Sequence, residues 1–358
     1  MARHRRPRRA LVTGIILGGL LLAAPPAAAQ DTGQVRRAAV DTVVGWQDFY
    51  GETADWPTQY IVDTFVGVEV APGWQGSLRP VLWRANGTWE TLLDQASIRR
   101  EFRKGANWRI EAGRFPSPIG FGMTENRASL NPGVIWCHRP YYMPLPALGA
   151  GLPLVSLVSA VYPDGVEVAS SGDHWDARAA LVDRAPVQFW KAVPGATRGV
   201  NGVVGGGVTP WQGFRVGAAA AWGPYAEEPA GRADRRYAMI NGEFDYAVGY
   251  TRISGEWTRD RFETAAGDVT ARGATLQVQH TLTPRLFVHS RATWIRAGEV
   301  ETAVVAGARR FVSIDTTLGI RLAPSLTLRV AHSAVKRFSV DAVDQQFGVS
   351  TMWVMRWW

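Results

Sequence analysis

The 358-residue sequence is poor in the residue types that most metal centres and disulfide folds need. Its one cysteine, Cys137, excludes a disulfide framework and any multi-cysteine metal site. The six histidines show neither His-x-His nor His-Glu-x-x-His spacing, which argues against a metal centre built on them. Beyond residue 30 no stretch of about 18 apolar residues runs without a charge, which excludes a helical membrane protein.

Charge is also scarce and evenly balanced, because charged residues make up only 20% of the chain. The formal net charge is +8, but residues 1–30 contain five arginines and no acidic residue. The remainder therefore carries 34 basic and 31 acidic residues, an excess of +3. A nucleic-acid-binding protein normally shows a stronger and more clustered basic excess, so no nucleic-acid partner is expected.

The first 29 residues have the three parts of a secretory signal peptide. A basic cluster fills residues 1–9, an apolar run covers 11–24, and Ala27-Ala28-Ala29 supplies small residues in an Ala-x-Ala arrangement. The apolar run is too short and wrongly flanked for a membrane anchor. We expect cleavage after residue 29 and a single mature domain over 30–358.

Polar and apolar residues then alternate over segments of about ten residues, which is the pattern of strands with one apolar face. Residues 285–295 place Leu286, Val288 and Trp294 on one face and His289 and Arg291 on the other. Residues 311–322 repeat this, with apolar side chains at even positions and Ser313, Asp315, Thr317 and Arg321 opposite. A soluble β-sandwich would show the same alternation, so periodicity alone leaves the environment open.

Turn signals give the spacing that separates these two folds. Their centres at positions 72, 105, 172, 210, 248, 284 and 324 lie 33 to 40 residues apart, except for one interval of 67. Two ten-residue strands plus one longer loop give such a period, which is the layout of outer-membrane barrels. With one strand before the first pair and one after the last, the sequence predicts an all-β, transmembrane antiparallel β-barrel of about 16 strands.

The long interval places roughly 30 extra residues after the fifth strand, in a loop over 115–163. The stretch that enters this loop, Glu-Ala-Gly-Arg-Phe-Pro-Ser-Pro-Ile-Gly at 111–120, is similar to a Gly-x-Phe-x-x-Pro-x-Gly stretch of the phosphate-selective porin O/P-like family. In general porins the loop after the fifth strand folds into the lumen and narrows it. The resemblance therefore implies a bacterial outer-membrane porin with an inward constriction loop and a homotrimeric assembly.

The end of the chain resembles a signal that the bacterial barrel-assembly machinery reads. Residues 347–357 alternate toward a terminal aromatic, although Trp358 stands where phenylalanine is usual. This similarity implies the outer membrane as the location, the assembly machinery as a partner, and membrane lipid and lipopolysaccharide as surroundings.

Charged residues in and beside the long loop are the candidate pore lining. Glu125, Arg127, His138 and Arg139 are the expected constriction residues. Strand alternation turns a second set toward the lumen wall: Arg99, Glu101, Arg109 and Glu111. Opposite charges across a narrow pore orient solutes, and rings of one sign set ion preference. The alternative is that each is an ordinary solvated residue of a polar lumen.

Three functions fit a barrel. The leading hypothesis is a channel that passes small hydrophilic solutes or ions without a cofactor. A scaffold for surface display or adhesion is the second, and it predicts several long loops rather than one. A barrel-embedded hydrolase is the third, but neighbours such as His289 and Ser290 point to opposite faces of a strand and cannot form a dyad. We therefore expect no enzymatic activity and no metal.

Overall fold

The computed structural model describes residues 38–51, 56–85, 87–120, 131–133, 157, 161–188, 194–228, 233–264, 267–297, 310–338 and 342–357. The expected signal peptide, 1–29, lies outside the described residues. Within the described ranges there is no helix long and apolar enough to cross a membrane.

Sixteen β-strands account for most of the described chain. In chain order they are β1 (Ala38–Gly51), β2 (Trp56–Ala71), β3 (Trp74–Ala85), β4 (Thr88–Lys104), β5 (Ala106–Arg114), β6 (Asp164–Ser171), β7 (Trp175–Val182), β8 (Asn201–Trp211), β9 (Phe214–Ala226), β10 (Arg235–Val248), β11 (Thr251–Thr264), β12 (Gly267–Thr283), β13 (Leu286–Ala297), β14 (Arg310–Ala323), β15 (Leu326–Arg337) and β16 (Ala342–Trp357).

The strands form one closed antiparallel barrel. Each strand pairs with its neighbours in sequence, and β1 closes the sheet against β16 through a register that runs from Val40 opposite Trp357 to Gly51 opposite Gln346. Closure leaves no strand edge unpaired, which removes the main route to edge-to-edge aggregation. The predicted fold class and the predicted number of strands are both confirmed.

Alternation along the strands separates an inner and an outer face. On β14, Ser313, Asp315 and Thr317 are buried, whereas Ile314 and Leu318 between them are exposed. A buried polar set beside an exposed apolar set identifies the polar side chains as the inner face of the barrel, because only the lumen can cover them. The faces assigned from the sequence for β13 and β14 are therefore confirmed.

Tight turns connect the strands at the end of the barrel where β1 begins and β16 ends. Gly73, Gly105 and Gly213 have positive φ angles of 75°, 73° and 86° in these turns. Only glycine adopts such angles without strain, and a Cβ at Gly213 would lie 2.3 Å from the Ala247 carbonyl oxygen. These glycines let the strands reverse within one or two residues.

Longer connections lie at the opposite end. β5 ends at Arg114 and β6 begins at Asp164, so residues 115–163 join them. A second long connection, 183–200, joins β7 to β8 and was not expected from the sequence. Part of it is buried, since Ala185 and Val187 belong to the same apolar cluster as Phe115, Ile119 and Leu157 of the first connection.

Candidate functional site

The four residues predicted for the lumen wall lie on the inner face of β4 and β5. Their neighbours Ile98, Phe102 and Ile110 are exposed on the outer face, so the alternate positions point inward. The register sets Arg99 opposite Glu111 and Glu101 opposite Arg109. Two cation–carboxylate pairs therefore stand side by side on the inner wall.

These side chains also have partners on neighbouring strands. Arg99 donates from Nε to Gln75 Oε1 at 2.9 Å and lies 3.4 Å from Glu101 Oε1. Glu111 is buried and accepts a hydrogen bond from Ser97 Oγ at 2.6 Å. Arg109 forms an ion pair with the buried Glu167 of β6. Each of the two arginines is thus held by an acidic neighbour.

The same pattern continues around the wall through residues that the sequence analysis did not single out. Arg215 on β9 donates from Nε to Asp176 of β7 at 2.7 Å and from Nη1 to Glu243 of β10 at 2.6 Å. Arg178 lies 3.7 Å from the same Glu243 carboxylate. The sequence could have identified these residues, because the charged side chains of β7 and β9 alternate with the apolar Trp175 and Val216, which are exposed on the outer face.

We refer to these inner-face residues of β4 to β10 as the paired band. A cavity of about 660 Å³ adjoins it. Four members of the band are among the residues that line this cavity: Glu101, Arg109, Asp176 and Arg178. Space beside alternating charges can hold water and a small polar solute.

A buried arginine on β3 ties the barrel wall to the end of the 115–163 connection. Arg79 donates from Nε and Nη2 to both carboxylate oxygens of Asp63, each at 2.8 Å. Its Nη1 lies 3.6 Å from Asp94 and donates to the hydroxyl of Tyr162. A desolvated guanidinium needs such compensation, and two carboxylates supply it here.

A second buried arginine, Arg329 on β15, has different neighbours. Its Nη1 donates to the Gly133 carbonyl oxygen at 2.9 Å and its Nη2 lies 3.5 Å from Met352 Sδ. No carboxylate of the described residues forms an ion pair with it. Arg291 and His289 of β13 lie beside the same segment, since a Cβ at Gly133 would be 3.6 Å from Arg291 Nη2 and 3.9 Å from His289 Nδ1.

Other described parts of the 115–163 connection touch further inward-facing side chains. A Cβ at Gly120 would lie 2.5 Å from Glu256 Oε1 of β11. One at Gly273 of β12 would lie 2.9 Å from Leu157 Cδ1. Phe115, Ile119 and Leu157 share an apolar cluster with inner-face residues of β7 to β13 and β15. The described parts of this connection therefore contact the inner wall at β3, at β11 to β13 and at β15.

The four predicted constriction residues, Glu125, Arg127, His138 and Arg139, lie outside the described residues, as does Cys137. Their role stays a prediction. The contacts of Gly133 were beyond sequence reasoning, because Gly133 and Arg329 are 196 positions apart.

The described residues offer little for bond-making chemistry. They contain no group of three or more His, Cys, Asp or Glu side chains that could hold a metal ion. His289 is on the inner face, whereas Ser290 is on the outer face, where its hydroxyl forms a hydrogen bond with the hydroxyl of Thr316. His332 lies beside the outer-face ring of Phe347, while Ser333 is buried on the inner face.

Comparison with known proteins gives matches in structure but none in sequence. No family model matches the chain, and the search of curated proteins finds no relative. Salmonella typhi OmpF, solved as a complex with daunomycin, is similar over 89% of this chain and 97% of its own, with a TM-score of 0.59 and 12% identity. An anion-selective porin from Comamonas acidovorans has a TM-score of 0.55 and 11% identity, and the match covers 89% of this chain and 99% of the porin. Outer-membrane expressed OmpT of Vibrio cholerae has a TM-score of 0.57 and 9% identity, and the match covers 90% of this chain and 99% of OmpT. At these identities the likeness shows a shared fold.

Proposed function

We propose that the protein is an outer-membrane porin that lets small hydrophilic solutes or ions diffuse through a water-filled barrel. The observation that carries the proposal is the pairing of an exposed apolar outer face with an inner face of charged and hydroxyl side chains in a closed 16-stranded barrel. Barrels of 16 to 18 strands are wide enough to leave an aqueous channel, and a lipid-facing surface has to be apolar. Export through the 1–29 signal and a homotrimeric assembly form part of this proposal.

Residues 115–163 are proposed to narrow the channel from inside. The contacts of Gly120, Gly133 and Leu157 with inner-wall side chains support this placement. A loop on the cell surface would not contact Glu256 of β11, Gly273 of β12 and Arg329 of β15 on the inner wall. Charge in such a confined space acts through a low effective dielectric, so it weighs more than charge at an outer loop.

The proposal does not extend to phosphate selectivity. The chain has three lysines, Lys104, Lys191 and Lys336. Lys336 pairs with Val312 on the outer face, and Lys191 lies outside the described residues. A row of lumen lysines for phosphate is therefore not built by the described strands. We also propose no enzymatic role, because the nearest His–Ser neighbours point to opposite faces.

Liposome swelling tests the channel directly. Protein reconstituted into liposomes should admit neutral sugars at rates that fall steeply as the sugar grows from a pentose to a trisaccharide. Liposomes containing heat-denatured protein are the control. Swelling no faster than that control, from protein that migrates as a folded barrel on unheated gels, would favour the surface-scaffold alternative.

Removing residues 126–142 tests the narrowing. The shortened protein should admit the trisaccharide faster than the full chain. The 183–200 connection contributes Ala185 and Val187 to the buried apolar cluster, so a shorter deletion within the 298–309 connection serves as control and should leave the size limit unchanged. Identical size limits for full-length and shortened protein would place 115–163 outside the path.

A further inference from the structure

The cavity beside the paired band lies toward the short-turn end of β4 to β7. The registers place Glu101 of β4 opposite Arg109 of β5, and Arg109 opposite Ala169 of β6. All three residues line the cavity. Its volume of about 660 Å³ falls within the range of about 300–1,000 Å³ that is usual for small-molecule sites. The wall therefore has room for a bound solute at this position.

Glu101 and Arg109 are opposite each other in the register, yet their charged groups pair elsewhere. Arg109 forms its ion pair with Glu167, two residues along β6 from Ala169. Glu101 lies 3.4 Å from Arg99, two residues along its own strand. Directly opposed residues have Cβ atoms about 5 Å apart, so the two side chains leave between them a gap with a cation on one side and a carboxylate on the other. We call this space the charge gap.

Both charged groups remain accessible while they are paired. The side chain of Arg109 is 40% exposed and that of Glu101 is 48% exposed. A guanidinium has five N–H donors and a carboxylate has about four acceptor positions, so one ion pair leaves donors and acceptors free. The methyl side chain of Ala169 keeps the wall beside Arg109 low. A solute in the cavity can therefore reach both charged groups.

The charges that line the cavity are balanced in sign. Arg109 and Arg178 are the cations, and Glu101 and Asp176 are the anions. A lining without net charge concentrates neither anions nor cations. Charges of opposite sign on neighbouring strands nevertheless attract a solute that carries both signs itself. A neutral sugar has no charge to offer them, so a zwitterion matches this lining better than a sugar or a simple ion.

The spacing of the two charges indicates which zwitterion fits. Glu101 and Arg109 are on adjacent strands, which lie about 5 Å apart. An α-amino acid carries its ammonium and its carboxylate on one carbon atom, so its charges are also close together. Asn107 and Ser171 line the same cavity next to the short turns and add polar groups for the rest of the solute.

We propose that the charge gap binds free α-amino acids in their zwitterionic form as they pass through the channel. The carboxylate of the solute accepts hydrogen bonds from Arg109, its ammonium donates to Glu101, and its side chain extends over Ala169. This inference names a substrate class for the proposed channel and rests on that function, because the solute reaches the cavity through an open lumen.

Equilibrium dialysis of the detergent-solubilised full chain against radiolabelled L-alanine tests the site. The wild type should bind this probe in a saturable manner. Charge-assisted hydrogen bonds are the strong ones, so Glu101→Gln and Arg109→Gln should each bind the probe at least about fivefold more weakly. The matched controls are Asp245→Asn and Arg252→Gln, which each remove one charge from an ion pair of 2.8 Å outside the cavity lining and should bind like the wild type.

Two analogues test the wild type without any substitution. N-acetyl-L-alanine has no ammonium and L-alaninamide has no carboxylate, so each should compete with the probe at least about tenfold less well than L-serine does. Equal competition by N-acetyl-L-alanine would make the gap a site for anions, and equal competition by L-alaninamide would make it a site for cations. Either result would overturn the proposal, as would equal binding by the wild type and Glu101→Gln or an equal loss in the control variants.

Liposome swelling keeps this inference apart from the proposed function. Normal entry of a neutral pentose into liposomes, together with no saturable binding of L-alanine, contradicts only the amino-acid site. If folded protein admits neither the pentose nor L-alanine, the result contradicts the channel and the amino-acid site with it.

Discussion

Two buried arginines hold described residues of the same connection, yet they differ in how their charge is balanced. Arg79 on β3 and Arg329 on β15 are 2% and 3% exposed. Arg79 has two carboxylates, Asp63 and Asp94, beside it and reaches Tyr162. Arg329 reaches the backbone carbonyl of Gly133 and has no carboxylate partner among the described residues. Two carboxylates balance the positive charge of Arg79, whereas the positive charge of Arg329 is left unbalanced on the inner wall.

This difference suggests that the two arginines have different roles, one at the end of the 115–163 connection and one at its middle. At the end of the connection, Arg79 holds Tyr162 in position, and its attraction to Asp63 offsets the free-energy cost of burying the two charges. In the proposed channel, an uncompensated guanidinium against the middle of the connection would attract anions into the path and repel cations. The following experiments test whether Arg79 and Arg329 differ in this way.

The largest effect is expected for Arg79→Met. The substitution leaves Asp63 buried without its bidentate partner, and breaking a buried pair from one side costs about 3–5 kcal/mol. Urea unfolding of the protein in lipid vesicles, followed by tryptophan fluorescence, measures the loss. Arg285→Met, at an exposed turn, is the control and should change stability by less than about 0.5 kcal/mol.

Arg329→Met should be less damaging to the fold. It removes one hydrogen bond to a neutral carbonyl, which costs about 1–3 kcal/mol when the acceptor is left unsatisfied, and it also removes a buried charge. The same urea titration checks the value. A loss as large as that of Arg79→Met would show that the two arginines are equivalent, contrary to the comparison.

Ion selectivity should depend more on Arg329 than on Arg79, which is the reverse of their order for stability. Arg329→Gln should lower the ratio of anion to cation permeability by about twofold or more, because an uncompensated charge in a confined lumen is weakly screened. The double variant Arg79→Met/Asp63→Leu removes a neutral pair and should leave the ratio within experimental error. Reversal potentials under a chloride gradient report both. Equal shifts in the two proteins would refute the proposed difference in roles.

The smallest effect is expected in the paired band. Arg99 is a third exposed and Glu101 about half exposed, at 33% and 48%, with 3.4 Å between them. Exposed pairs contribute roughly 0–1 kcal/mol, so Arg99→Gln/Glu101→Gln should barely change stability. Its net charge is unchanged and selectivity should stay the same. A large shift in reversal potential would mean that single charges of this band, rather than Arg329, govern permeation.

The sequence was a good guide wherever structure repeats along the chain. Period-two alternation predicted the faces of β13 and β14 and the inward direction of Arg99, Glu101, Arg109 and Glu111, since a pleated strand has no other choice. Seven regular turn signals predicted fourteen strands joined in pairs, and one further strand at each end of the series brought the prediction to about sixteen.

Contacts between distant parts of the chain could not be read in this way. Nothing periodic links Gly133 to Arg329, and irregular segments carry no register. The 183–200 connection was not expected because β7 has only 8 residues and β8 has 11, while β4 has 17. Short strands offset the long connection, so the spacing between turn signals stayed normal.

Single-channel recording in planar bilayers tests the central claim most directly. Wild-type protein should give discrete conductance steps that rise with salt concentration. Under asymmetric salt, the reversal potential of Arg329→Gln should be shifted from that of the wild type in the direction of greater cation permeability. The account would be contradicted by folded protein that gives no steps, or by steps whose reversal potential is identical in the wild type and in Arg329→Gln.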